Sequence, residues 1–163
     1  MSVIFVIMQL IKRRRTGKGV DEIMTSQIRK YRKHILLVDD REYLLQSMAE
    51  GLEAVDGDFE IHTAGNGRKA LEILKASHKI DLLVTDLEMP VMDGFELLAV
   101  VKQEFPALPA IIITGHITPK IKERIKAIGD YLCIEKPIGF KELRRRIIDE
   151  LRIHSKPEEK RPK

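Results

Sequence analysis

The feature that most constrains this 163-residue sequence is a short apolar run, Leu82-Leu83-Val84-Thr85, that ends abruptly on Asp86. A run of about four to eight apolar or β-branched residues is typical of a strand buried on both faces, as in a parallel sheet. Pro90 and Asp93-Gly94 then mark a loop. Asp86 is therefore predicted to lie at the carboxyl end of a strand, the edge at which open α/β sheets bind ligands. By itself this is weak support for a functional site, because an Asp that caps a strand or begins a turn is commonplace.

The same pattern recurs along the chain and predicts five strands that alternate with five helices. The expected strands are Ile35–Val38, Phe59–Ala64, Leu82–Thr85, Ala110–Gly115 and Tyr131–Glu135. Asn66 and Thr118-Pro119 are predicted to begin two of the helices, and Gly129 to end one. Strands that alternate with helices imply right-handed crossovers and a parallel sheet covered on both faces.

The two ends of the chain differ in composition from the predicted domain, which we place at residues 34–154. The extension, residues 1–33, begins with an apolar stretch about half as long as a membrane span. Its basic residues follow this stretch, whereas a secretory signal carries them first. We favour a flexible or loosely docked leader over a membrane-surface anchor or a true start at Met24. Residues 155–163 contain no apolar residue and are predicted to be a disordered polar tail.

The net charge of +4 is unevenly distributed, because residues 34–153 contain 16 basic against 21 acidic residues. A nucleic-acid partner would therefore have to bind the ends of the chain rather than the domain. About ten residues follow the last predicted helix, too few for a DNA-binding or enzymatic output domain. The single cysteine, Cys133, excludes an internal disulfide and fits a reducing compartment, so the protein is predicted to be cytoplasmic.

Five polar residues follow or end the predicted strands: Asp39, Asp40, Asp86, Thr114 and Lys136. Because the carboxyl ends of parallel strands share one edge, we expect these side chains to converge. Crowded carboxylates repel one another unless a cation is present, and hard oxygen ligands suit Mg²⁺. A lysine and a threonine hydroxyl are suited to holding a phosphoryl group. A carboxylate beside Mg²⁺ can itself be the nucleophile and become an aspartyl phosphate.

This set of residues resembles the receiver domain of two-component response regulators. The matching segments are Asp39-Asp40, the segment from Asp86 to Gly94, Thr114-Gly115 and Lys136-Pro137, within about residues 33–153. The resemblance implies a flavodoxin-like (βα)₅ fold, a doubly wound parallel sheet with strand order 2-1-3-4-5. It also implies that the chain is a phosphoacceptor rather than an enzyme, as in the single-domain receivers of chemotaxis.

The resemblance further implies roles for the acidic residues. Asp86 would accept a phosphoryl group from a histidine kinase or a phosphotransfer protein. Asp40, a carboxylate oxygen of Asp86 and the backbone carbonyl of Glu88 would bind Mg²⁺, with Asp39 acting partly through water. Of these, only Asp86 would be covalently modified.

The residues near the fourth and fifth strands complete the expected site, with one departure from the family. Lys136 would contact the phosphoryl group, its bond to Pro137 would be cis, and the Thr114 hydroxyl would move toward the phosphate. Three residues before the lysine, where the family usually has an aromatic switch residue, this chain has Cys133. Tyr131 is two residues earlier. We interpret Cys133 as a small buried apolar residue rather than a redox sensor.

The sequence is compatible with three functions, of which the first is favoured. The first is a stand-alone receiver that signals to a downstream protein through the signalling face, defined as Pro119–Gly129, Tyr131–Glu135 and Gly139–Ile153. The second is a Mg²⁺-dependent aspartyl-phosphate phosphatase, but such enzymes usually carry a second Asp two residues after the nucleophile, where this chain has Glu88. The third is a scaffold that has lost phosphorylation, which the complete set of five residues argues against.

Overall fold

The structure, a computed structural model, describes residues 32–54, 58–76 and 79–154. Its five strands form one parallel sheet with the order β2-β1-β3-β4-β5. The strands are β1 (Lys33–Val38), β2 (Phe59–Ala64), β3 (Ile80–Thr85), β4 (Ala110–Thr114) and β5 (Leu132–Glu135). The helices are α1 (Glu42–Glu53), α2 (Gly67–Ala76), α3 (Gly94–Glu104), α4 (Pro119–Ile128) and α5 (Phe140–His154). The predicted fold class and strand order are confirmed.

Local sequence signals start the helices where they were expected. The Asn66 side chain accepts a hydrogen bond from the amide of Lys69 (3.0 Å) at the start of α2. Thr118 caps α4 in the same way by accepting from the amide of Ile121, and Pro119 stands in the first turn. Each cap satisfies a backbone donor that a helix terminus would otherwise leave without a partner.

Gly129 ends α4 as predicted, but for a different physical reason. Its φ of 179° is extended backbone that any residue adopts, so no left-handed conformation requires glycine there. A β-carbon at this position would lie 2.9 Å from the ring of Tyr131. A larger residue at position 129 would therefore require the Tyr131 ring, which packs directly against the helix end, to shift.

Apolar residues of the strands alternate between the two faces of the sheet and build a hydrophobic cluster on each. Leu36, Leu83 and Ile112 lie in the cluster that α2, α3 and α4 cover. Ile35, Val84 and Ile111 lie in the cluster that α1 and α5 cover. Because both faces are covered, β1, β3 and β4 are nearly continuous apolar runs rather than alternating ones.

The predictions for the ends of the chain are not tested by the fold. The extension at residues 1–33 lies outside the described residues except at its last two positions, and the tail at residues 155–163 lies outside them entirely. None of the helices in the described part of the chain is long and apolar enough to cross a membrane.

Candidate functional site

The register of the two central strands places Asp39 beside Asp86. Val38 pairs with Thr85, so the next residue of each strand leaves the sheet at the same level. The amide of Asp86 donates to the carbonyl oxygen of Val38 at 2.9 Å. Both aspartates are only 6% exposed, although both are charged residues at a loop. The fold therefore holds two carboxylates next to each other in a buried position.

Lys136 enters this site from the edge strand β5. Thr114 pairs with Glu135, and the amide of Lys136 donates to the carbonyl oxygen of Thr114 at 2.8 Å. The Lys136 ammonium donates to Asp39 Oδ2 at 2.7 Å and also contacts Asp86 Oδ2. Its side chain is 12% exposed, so the ion pairs are largely removed from water. Removing Lys136 would leave the two buried carboxylates without the ammonium that they share, which is destabilising.

Arg41 is a second cation at the site, and the sequence reasoning did not identify it. Its amide and its guanidinium Nε donate to Asp39 Oδ1 at 2.9 and 3.2 Å, and its Nη2 lies 3.8 Å from Asp86 Oδ2. Burial alone would raise the pKa of Asp39, but hydrogen bonds from Arg41 and Lys136 outweigh it and hold the pKa below its ordinary value. The one sequence signal for Arg41 was its position directly after Asp39-Asp40. Position in the sequence alone does not determine where a long side chain points.

The two oxygens of the Asp86 carboxylate have different surroundings. Oδ1 accepts hydrogen bonds from the backbone amides of Leu87 (2.6 Å) and Glu88 (3.3 Å). Oδ2 faces Lys136 and Arg41 instead. The side chain is therefore fixed by its own loop through one oxygen and presents the other to the cations.

The loop after Asp86 is anchored in the core by alternate residues. Leu87 and Met89 are buried, whereas Glu88 between them is exposed. Val91, two residues later, has a φ of 71°, a conformation that costs energy for a β-branched residue. The chain on both sides of Val91 is held in place. Before it, Met89 is buried in the core, and after it, the carbonyl oxygen of Met92 accepts from the amide of Gly67.

Gly94 allows helix α3 to begin directly against the site. A β-carbon at this position would lie 2.1 Å from the carbonyl oxygen of Asp86 and 2.7 Å from the α-carbon of Leu87. Asp93 caps the same helix: its side chain accepts from the amide of Glu96, whose side chain accepts from the amide of Asp93. The Asp-Gly pair that the sequence marked as a turn is therefore also a cap and a close backbone contact.

The acidic residues form a donor set that fits a hard divalent cation. Carboxylate oxygens of Asp39, Asp40 and Asp86 all lie within 4.8 Å of one another. Asp40 is exposed and the other two are buried, so the set opens to solvent on one side. Oxygen donors with an accessible side suit Mg²⁺, which keeps several water ligands when it binds. Glu88 is near the site through its amide, and the role of its carbonyl oxygen remains a prediction.

Thr114 lies at the end of β4 and is fully buried. Its hydroxyl finds no hydrogen-bond partner among the described residues. A buried hydroxyl without a partner costs free energy, and such a cost is often found where a ligand supplies the missing partner. This observation is consistent with the predicted role of Thr114, which stays a prediction.

Comparison with known proteins assigns the family. A family model of the response regulator receiver domain matches residues 35–148. The chain belongs to the response regulator receiver family. The transcriptional regulatory protein GlrR of Escherichia coli K12 is 34% identical to it over 120 residues, which are 72% of this chain and 26% of GlrR. The heme response regulator HssR of Staphylococcus haemolyticus is 36% identical over 112 residues, 69% of this chain and 48% of HssR. This receiver thus spans no more than about half of either relative.

Solved receiver structures share the fold. A CheY-like receiver domain protein from Methanospirillum hungatei superposes with a TM-score of 0.70 at 26% identity, covering 76% of this chain and 96% of that one. The chemotaxis protein CheY4 of Vibrio cholerae gives a TM-score of 0.68 at 27% identity, covering 73% and 98%. Receivers of this family are phosphoacceptors of two-component systems and generally bind Mg²⁺ at an acidic pocket.

At the position where receivers usually carry an aromatic switch residue, the structure places Cys133 on β5, half-buried against the α2–α4 side of the core. Its thiol lies 3.6 Å from the carbonyl oxygen of Tyr131. Burial raises the pKa of the thiol, and the positive charge of Lys122 opposes this only in part. A thiol with a raised pKa is a poor nucleophile at neutral pH, which agrees with the interpretation of Cys133 as a small core residue.

Proposed function

We propose that this receiver accepts a phosphoryl group on Asp86 from the phosphohistidine of a kinase or phosphotransfer protein and passes the signal on by protein contact. The observation that carries the proposal is the asymmetric environment of the Asp86 carboxylate. Two backbone amides hold Oδ1, and Oδ2 meets the ammonium of Lys136. A nucleophile that is fixed in place by its own backbone needs little reorganisation to react.

In the proposed step, Asp86 Oδ2 attacks the phosphorus atom of the phosphohistidine. A new phosphorus–oxygen bond forms, the phosphorus–nitrogen bond of the donor breaks, and the released imidazole nitrogen keeps the electron pair and takes up a proton. The amides of Leu87 and Glu88 keep Oδ1 in place while Oδ2 becomes the acyl phosphate oxygen. Lys136 changes its hydrogen bonds from the two carboxylates to the phosphoryl oxygens, whose charge it helps to neutralise.

Asp39, Asp40, Asp86 and the carbonyl oxygen of Glu88 would hold Mg²⁺ in this proposal. The ion supplies positive charge that allows the carboxylates and an incoming phosphoryl group to approach one another. Arg41 and Lys136 supply part of this charge from the protein itself, because both already contact Asp39. The Thr114 hydroxyl would donate to a phosphoryl oxygen and so gain the partner that the described residues do not provide.

The output is proposed to leave through the signalling face, toward a downstream protein. Thr114 precedes α4, and Lys136 directly follows β5, so both connect the site to elements of that face. The amide of Ile117 donates to the side chain of Glu135 at 3.3 Å and ties the β4–α4 loop to β5. A change in the position of Thr114 or Lys136 would therefore reach α4 and β5 through covalent neighbours and this contact.

The assignment is tested by phosphorylating the purified chain with a small donor such as phosphoramidate in Mg²⁺. Intact-mass measurement should find one added phosphoryl group, removed by base, on the wild type and none on Asp86→Asn. Asp93→Asn is the matched control, because asparagine caps a helix about as well as aspartate and this residue lies in the same loop. A base-labile adduct on Asp86→Asn would show that another residue is the nucleophile.

The phosphatase alternative is separated by turnover on a generic phosphomonoester. We propose that the chain is a phosphoacceptor and not a hydrolase, so hydrolysis by the wild type should equal that by Asp86→Asn. Multiple turnovers that disappear in Asp86→Asn would favour the hydrolase instead.

A further inference from the structure

A second cluster of ligand-type side chains lies on β1 and β2, away from the phosphoacceptor site. Glu60 and His62 are two residues apart on β2 and therefore point to the same face of the sheet. His34 on β1 pairs directly with Glu60, and Leu36 pairs with His62. The parallel register thus places one histidine opposite the glutamate and diagonal to the second histidine.

The donor atoms of the three side chains lie close together. His34 Nδ1 lies 3.0 Å from His62 Nε2, and Glu60 Oε1 lies 3.7 and 3.9 Å from these two nitrogens. The point equidistant from the three atoms lies in their plane about 2.1 Å from each, so a tetrahedral Zn²⁺ with bonds of about 2.0–2.2 Å requires side-chain shifts of only about a few tenths of an ångström. No rearrangement of the strands is needed to bring the three atoms within bonding distance of a common point.

We propose that His34, Glu60 and His62 form a binding site for a borderline divalent transition metal of the Zn²⁺ class. Two imidazoles and a carboxylate are donors that such ions prefer, whereas Mg²⁺ prefers oxygen donors alone. The side chains are 17%, 42% and 29% exposed in the order His34, Glu60, His62, so the ion can enter from solvent and keep a water as its fourth ligand. The site is open on one side, like zinc sites with three protein ligands.

The proposed site is separate from the phosphoacceptor site. His34 lies near the amino end of β1 and Asp39 follows its carboxyl end, which are about 16 Å apart along an extended strand. The donor sets also differ, because the group at the phosphoacceptor site among the described residues consists of three carboxylates. The two sites should therefore be distinguishable by their metal preference as well as by their position.

The arrangement also has an explanation without metal, in which one imidazole donates to the other across the 3.0 Å contact and Glu60 lies beside both rings. The nearly parallel rings, 5.3 Å apart between centroids, are compatible with this. Two charged groups next to His34, Lys33 and Asp81, pair with each other at 2.7 Å, and Asp81 also accepts from the amide of His34. This alternative predicts no response to Zn²⁺.

The experiment measures Zn²⁺ binding to the full chain by calorimetry at neutral pH, with Mg²⁺ in excess to saturate the phosphoacceptor site. We expect one tight Zn²⁺ per chain and a rise in Tm with Zn²⁺ that Mg²⁺ alone does not produce. The variants His34→Asn and His62→Asn should each bind Zn²⁺ at least about tenfold more weakly. The matched control is His116→Asn, an exposed loop histidine outside the cluster, which should bind like the wild type.

Two further readouts keep the test decisive. His62→Asn should retain Mg²⁺-dependent phosphorylation, which shows that it is folded. In the wild type, Zn²⁺ should shift the ring nitrogen resonances of His34 and His62 and leave those of His116 in place. Equal Zn²⁺ affinity in wild type and His62→Asn, or ring resonances of His34 and His62 that do not respond, would overturn the proposal in favour of the metal-free pair.

Discussion

The inner strands and the edge strands of the sheet differ in burial. The last four residues of β1, the last four of β3 and all five of β4 are buried, whereas β5 has no buried residue and β2 is buried only at its two ends. The inner strands end at Asp39, Asp86 and Thr114, the buried polar residues of the candidate site. The edge strands carry Cys133 on β5 and the Glu60–His62 pair on β2.

This difference in burial indicates how a receiver can keep its phosphoacceptor residues in place while residues on its edge strands change. A residue at the end of an inner strand is positioned by packing on both faces, and precise positioning of reactive groups needs such support. A residue in the middle of an edge strand is partly exposed, so its replacement leaves the packing of the inner strands intact. In this chain the departure from the usual receiver pattern lies on the edge strand β5, and two of the three proposed metal ligands, Glu60 and His62, lie on the edge strand β2.

The largest effect is expected from Gly94→Ala, which tests how closely the residues at the ends of the inner strands are packed. The new methyl group would overlap the backbone of Asp86 and Leu87, which cannot move as a flexible side chain could. We expect the free energy of unfolding to fall by about 3 kcal/mol or more and phosphorylation of Asp86 to slow. Urea denaturation measures the first effect, and the rate of reaction with phosphoramidate measures the second.

Gly139→Ala is the matched control for this substitution. Nothing lies within 4 Å of a β-carbon at Gly139, and its backbone is not in the left-handed region. Stability should change by less than about 0.5 kcal/mol. Equal effects at the two glycines would show that α3 does not need to approach Asp86 as closely as the structure has it.

The contrast between inner and edge strands is tested directly by two isoleucines of the same hydrophobic cluster. Ile111 on β4 is fully buried, and Ile134 on β5 is partly buried. Replacing Ile111 with Ala should lower the free energy of unfolding by about 4 kcal/mol, and the same change at Ile134 by about half as much. Equal losses in denaturant titrations would mean that β5 is as firmly held as the inner strands.

The alternation of five strands with five helices and the positions of the strand-end residues were predicted because both follow from short-range patterns, whereas the strand order was implied by the family resemblance. Phe59–Ala64 was predicted with its observed bounds, and the residues Asp39, Asp86 and Lys136 do converge. Strand ends share an edge in any parallel sheet, so this convergence needs only the order of the elements. The predicted cis bond between Lys136 and Pro137 is also present.

Features that depend on where a side chain points, or on how two strands pair, could not be predicted in this way. The Arg41 side chain folds back to Asp39. The rotamer that brings it there cannot be predicted from the spacing of residues in the sequence. The approach of Gly94 to Asp86 depends on the angle at which α3 leaves the loop. The contact between His34 and His62 depends on the register of β1 against β2, because a shift of one residue would place the two rings on opposite faces. The roles of the site residues in binding metal and phosphate stay predictions.

The proposed Mg²⁺ site at the ends of the inner strands can be tested by comparing the loss of affinity when a side-chain ligand is removed with the loss when the side chain of a backbone ligand is removed. Asp40→Ala should weaken Mg²⁺ binding at least about tenfold, because it removes a carboxylate of the acidic set. Glu88→Ala should leave the affinity nearly unchanged, since only the carbonyl oxygen of this exposed residue is expected to bind. Mg²⁺ titration followed by amide shifts of Asp86 and its neighbours measures both, and equal losses would show that the site is built differently.

The smallest expected effect concerns the edge strand β5, where Cys133 replaces the usual aromatic residue. In receivers, an aromatic ring at this position follows the threonine hydroxyl when the aspartate is phosphorylated, as the family resemblance implies. Cys133 is too small to carry such a movement, so the signalling face should respond mainly through Thr114 and Lys136. A shift from a mostly inactive to a mostly active state needs several kcal/mol of differential interaction, and here one source of it is absent.

We therefore expect a phosphoryl mimic such as beryllofluoride to change the backbone amide shifts of the signalling face less in the wild type than in Cys133→Tyr. Cys133→Ala is the control, because alanine is small and apolar like the half-buried cysteine, and it should respond as the wild type does. Saturation of the phosphoacceptor site must be matched in all three proteins by titration. If the wild type already responds as strongly as Cys133→Tyr, an aromatic residue on β5 is unnecessary for the response. The contact between Ile117 and Glu135 would then be one route, beside Thr114 and Lys136, from the inner strands to the signalling face, and Glu135→Gln should weaken the response.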